Sequence, residues 1–129
     1  TLRPLAVWTH LWFLFMAVGG AIVAPFALRS IGLSPFGLGL SMAAAGVGGL
    51  VGSLRAVRLG GRFGAGRVVI ASRFLTALAW TLVAVSSDRW WGWLLFGAGQ
   101  FVLGAGIGID NANSMGYRQI VTPDALKAA

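Results

Sequence analysis

Apolar residues run along this chain in four long blocks, over residues about 5–28, 37–54, 68–85 and 91–115, broken only by short polar or glycine-rich stretches. Each block is close to the roughly 20 residues that a helix needs to cross the hydrocarbon of a bilayer. The interruptions are "RSIGLSP", an arginine-rich stretch beginning at Ser53 ("SLRAVRLGGRFGAGRVV") and "SSDRW". All are short enough to force neighbouring helices antiparallel. The pattern therefore predicts an all-α membrane protein of four antiparallel transmembrane helices, with residues 116–129 as a cytoplasmic segment after the last span. Small residues recur at helical spacing inside the blocks: Gly37, Ser41, Ala45, Gly48 and Gly52 in the second, Gly104 and Gly108 in the fourth. His10, Ala17, Ala21 and Ala24 make a similar row in the first. Such stripes let helix backbones approach closely in lipid, so these positions are expected to pack against neighbours.

Composition sharpens the solvent assignment. Hydrophobic residues make up 57% of the chain and charged residues only 10%, against roughly a quarter charged in ordinary soluble domains. That much apolar surface needs the bilayer, where helices satisfy their own backbone hydrogen bonds. Charge then sets orientation, because cytoplasmic loops retain lysine and arginine. Arg3, Arg55, Arg58, Arg62, Arg67, Arg118 and Lys127 fall on one side, and only Arg29 and Arg89 on the other. The expectation is a multi-pass protein of the cell (inner) membrane with both ends cytoplasmic. The arginine cluster reads as a topological anchor in contact with the lipid bilayer and its anionic headgroups. Nucleic acid is not an expected partner, since no polar fold or exposed aromatic platform accompanies the charge. Trp8 and Trp12 near one interface and Trp90, Trp91 and Trp93 near the other suit amphipathic rings at headgroup level. Trp80 lies deeper and reads as a packing residue.

Several chemistries drop out. With no cysteine and a single histidine, disulfides and thiolate sites are excluded and a protein metal cage is not expected. "GAGIGID" and "GVGGLVG" resemble phosphate-cradling loops, but neither joins a strand to a helix and no strict GxGxxG occurs. No nucleophile-base arrangement or carboxylate pair is legible, so neither an enzyme nor a bound cofactor is expected.

What remains is a small set of polar groups inside the spans, where such groups are expensive. On a helical projection of the fourth span, Gln100, Gly104, Asn111 and Ser114 share one face, and Gly106, Asp110, Asn113 and Tyr117 a second. Gln100 and Asn111 either line a water-accessible cavity or hydrogen-bond to other helices. Asp110 is the only acidic residue within the four blocks, and Arg73 lies at similar depth on the third. The two could cancel as an ion pair, or Asp110 could respond to protons or cations in a transport pathway. His10, one turn into the first span, is either packed at the interface or a proton relay.

The order of pieces, from "LRPLAVW" through "IGLSPFGLGLSMAAAGVGGLVGSL" and the basic stretch to "YRQIVTPDAL", resembles the second half of a major facilitator superfamily transporter. The likeness is to the branch of drug and siderophore exporters that includes macrolide-efflux and enterobactin-exporter proteins. Its most specific part is the "RQ..TPD.L" element at Arg118, Gln119, Thr122, Pro123, Asp124 and Leu126. The basic stretch keeps Gly52 and the arginines of the family's loop signature and lacks its aspartate. The resemblance implies helices seven to ten of a twelve-helix fold built from inverted repeats and rocking around a central site. It implies export of amphipathic small molecules by alternating access with proton antiport, with the remaining helices of the same transporter as partners. The start at Thr1 and the stop at "ALKAA" likewise suggest a piece of a longer protein. The rival expectation is a four-helix membrane scaffold or assembly subunit without transport activity. A small four-helix dimeric exporter is a further alternative, against which stands the lack of an acidic residue before Asp88.

Overall fold

The computed structural model describes residues 2–127. It is all-helical: α1 (Leu2–Pro25) continues into a π-helical turn (Phe26–Ser30), followed by α2 (Pro35–Phe63), α3 (Ala65–Ala84), α4 (Trp90–Val121) and a single-turn α5 (Asp124–Lys127). Among the described residues, four helices are long and apolar enough to cross a membrane.

The turns follow from local chemistry. Pro25 has no N–H to donate to the preceding turn, and the helix widens directly after it, with Ile31 N–H reaching Phe26 O at 3.1 Å. Gly32, at φ 76°, reverses the chain in a conformation that glycine adopts without steric cost. Ser34 then caps α2 by accepting from Gly37 N–H at 3.1 Å, and Pro35 occupies the first helical position, where its missing N–H costs nothing. At this end Ala27, Ile31, Val83 and Phe96 form the buried apolar cluster. Trp93 Nε1–H donates to Ile31 O at 3.0 Å, tying the start of α4 to the reversal.

The opposite end corrects the expected loop. The arginine-rich stretch is not a loop: α2 runs on through Arg55, Arg58 and Arg62, one residue turns the chain, and Arg67 lies in the first turn of α3. Gly64, at φ 90°, is that residue, and its N–H still bonds to Gly60 O at 2.9 Å. Charge ended the apolar block at Leu54 without ending the helix, since arginine is a good helix former. The fourth helix likewise outruns its apolar block, from about Met115 to Val121. Arg118 and Gln119 are therefore helical, and Thr122 closes the helix with its hydroxyl on Arg118 O at 2.6 Å.

Helix α4 is the centre of the bundle, packed on α2 along one side and α3 along another. The α2 contact is a reciprocal glycine seam. A Cβ on Gly48 or Gly52 would strike the carbonyls of Phe101 and Ala105, and one on Gly104 or Gly108 those of Ala45 and Gly49. Backbones this close gain dispersion and Cα–H···O contacts that lipid cannot replace. On the α3 side Gly106 lies against Ser72 and Thr76, and Gly99 against Ala79 and Val83. Asn113 latches the arginine-rich end, donating from Nδ2 to Ala56 O at 3.2 Å and to Ile109 O at 3.1 Å.

Helix α1 is mounted differently from expectation. His10, Ala17 and Ala21 are exposed and only Ala24 is half-buried; the inward face is instead Thr9, Trp12, Met16, Gly19 and Val23. The reason is the partner surface: Trp80 presents its indole where a side chain at position 19 would sit, so any larger residue there would have to displace the ring. Contact is sparse, with 11% of the α1 span window buried against 39% for α4.

Candidate functional site

The glycine faces of α4 fix its rotation, and that rotation turns Asp110 towards α3. Its side chain is 7% exposed and its Oδ2 lies 3.3 Å from Arg73 Nη2. The other carboxylate oxygen accepts from Ser114 Oγ at 3.0 Å, one turn further along. Both oxygens of the buried carboxylate are thus engaged by donors, as a charge at this depth requires. Arg73 is not buried to match: its side chain is 42% exposed, and its guanidinium stands over the Trp12 ring at 4.9 Å. The Trp12 ring in turn meets Phe13 edge-on at 5.0 Å.

These groups form one wall of a cavity of about 290 Å³ between α1, α3 and α4, which Asn111 and Arg118 also line. A second cavity of about 180 Å³ adjoins it across Arg73 and Arg118. Of the polar positions named from sequence, Asp110, Asn111, Ser114 and Arg73 therefore come together. Gln100 does not join them. It is 5% exposed, roughly 15 Å further along α4 at 1.5 Å per residue, and its Nε2 has no hydrogen-bond partner. Gln100 and Asn111 do share a face of the unbroken helix α4, but their surroundings differ along its length. Asn111 is exposed at the cavity and Gln100 is enclosed. His10 is exposed, with Nδ1 2.7 Å from Ala6 O in its own helix, and stands apart from the cavity.

Two site residues were not legible as such. Trp12 reads from sequence as an interfacial ring, and its stacking on Arg73 needs the α1–α3 contact. Arg118 reads as part of the terminal element, although Asp110, Ser114 and Arg118 follow one another at spacing four and so share a helix face. Of that terminal element, Gln119 and Thr122 border a shallow depression with Arg118. Pro123 leads into α5, which Asp124 opens.

The arrangement defines a class: an all-helical protein with four potential membrane spans and an ion pair, its carboxylate buried and its arginine half-exposed, at a cavity between helices. No family model, no curated protein and no solved structure matches this chain.

Proposed function

We propose that this chain is part of a secondary active transporter of the major facilitator type, exporting amphipathic small molecules by alternating access with proton antiport. One observation carries most of the weight: the only acidic side chain deep in the spans is held by an arginine at the wall of a cavity. Ionisable groups inside a membrane are rare and mark pathways or relays. A purely architectural pair would be closed off on both sides, whereas Arg73 is half-exposed. A proton taken up by Asp110 would release Arg73 from its partner and change the charge of the cavity in one step. The charged groups facing Asp110 are Arg73 from α3 and Arg118 from its own helix, and α1 contributes none to the cavity. The sparse seating of α1 suits a helix that moves against the rest. The resemblance to the exporter branch, with its "RQ..TPD.L" element, supports the same reading, as does the arginine distribution for an inner-membrane protein with both ends cytoplasmic. The competing reading is a four-helix scaffold or assembly subunit, favoured by the apolar outer face of α1, where Trp8, Phe15 and Ile22 stand open.

Efflux assays on the complete protein, normalised to its level in the membrane, separate the two. Asp110→Asn is expected to remove the pH dependence of efflux, and Gln100→Ala to change which compounds are exported. Unchanged rate, pH profile and substrate range in both variants would favour the scaffold.

A further inference from the structure

A second recess lies outside the site described, at the Gly64 corner. It is a groove of about 360 Å³ between the end of α2, the start of α3 and the flank of α4, walled by Leu59, Phe63, Ala71, Leu75 and Ile109, with Arg67 at its border. Its walls are almost wholly apolar. Its rim is cationic: Arg62 lies over the Phe63 ring at 5.4 Å, Arg62 and Arg67 are both exposed, and no acidic residue occurs between Ser53 and Asp88.

We propose that this groove is a binding site for one anionic glycerophospholipid of the bilayer, its acyl chain in the apolar recess and its phosphate on Arg67 and Arg62. Three observations select this occupant. Helix α2 has 29 residues, roughly 43 Å at 1.5 Å per residue, which exceeds the roughly 30 Å hydrocarbon and carries its arginine end to headgroup level. Apolar recess and cationic rim then match the two halves of a phospholipid in the order that depth requires. Finally, the first turn of α3 has no side-chain cap and no acidic residue, leaving free N–H groups beside Arg67 that favour a phosphate. A bare arginine belt would attract any anionic surface; the groove makes the binding stoichiometric and sensitive to shape.

The test uses the complete protein in detergent, titrated with dioleoylphosphatidylglycerol and separately with dioleoylphosphatidylcholine, bound lipid being counted by native mass spectrometry. The wild type is expected to hold one phosphatidylglycerol in preference to phosphatidylcholine. Arg67→Gln is expected to lower that preference about fivefold, as for loss of one basic residue at a membrane surface. Ala71→Trp, at an exposed position, fills the groove and is expected to abolish the bound lipid. Arg55→Gln, further back on α2, leaves the preference intact. The site is overturned if the wild type does not distinguish the two lipids, or if Ala71→Trp retains the phosphatidylglycerol. Because Arg67→Gln alters only an exposed side chain, it keeps the test decisive should the tryptophan variant misfold: an unchanged preference in it also overturns the site.

Discussion

Asp110 and Arg73 are unequal partners, and the inequality can be measured. Asp110 is enclosed by the protein while Arg73 is 42% exposed. Removing the arginine strands a buried carboxylate, whereas removing the carboxylate charge leaves a half-exposed arginine that still stands over the Trp12 ring. Arg73→Gln is therefore expected to destabilise by about 3 kcal/mol, the lower end of the range for breaking a buried pair. Asp110→Asn keeps an acceptor for Ser114 and is expected to cost about 1 kcal/mol. The double variant should recover most of the Arg73→Gln loss, and thermal unfolding of the purified protein across this cycle reads the coupling directly. Gln100 poses the opposite case. Its Nε2 is buried without a partner, so Gln100→Met removes an unsatisfied donor and is expected to leave stability unchanged or raise it by about 1 kcal/mol. If the same substitution also lowers efflux, the amide is retained for function at the expense of the fold; a clear drop in unfolding temperature would instead reveal a structural role for it.

Between elements, the α2–α4 seam dominates, and its glycines are not equivalent to the many others. Gly104 faces the Ala45 carbonyl, while a Cβ on Gly97 of the same helix would meet nothing within 4 Å. Gly104→Ala is expected to force the helices apart at a cost of about 2 kcal/mol. Gly97→Ala should be neutral or gain about 0.5–1 kcal/mol from reduced backbone entropy. The same contrast holds on α2 between Gly48→Leu, which meets the Phe101 backbone, and Leu50→Ala at a position 62% exposed. The yield of monodisperse protein after detergent extraction checks both pairs; equal tolerance within either would show that the seam does not hold the bundle. The second-block stripe was legible because a helix with small residues on one face in lipid has few other uses for that face. The first-block row was not, because α1 has small residues on more than one side and Trp80 selects among them.

For the molecule as a whole, the arginine-rich end should face the cytoplasm. The reporter positions must respect the fold: Ala56 is fully buried, whereas Gly61 has open space around it and Asp88 is exposed. In the complete protein in intact cells, an impermeant thiol reagent is expected to label Asp88→Cys and spare Gly61→Cys, and the reverse pattern would invert the topology. What the sequence determined by itself was whatever depends on distance along the chain. Block lengths set four helices long and apolar enough to span a membrane, short connections set their antiparallel order, and equal depth on adjacent helices brought Arg73 level with Asp110. Helix ends escaped it, since arginines that stop an apolar block do not stop a helix. Tertiary structure alone decided what depends on rotation about helix axes: the face α1 turns inward, the enclosure of Gln100, Trp12 over Arg73, and the groove at Gly64. Periodicity states which residues share a face, but the free energy of choosing one face over another resides in the partner helix's shape, which no single segment encodes.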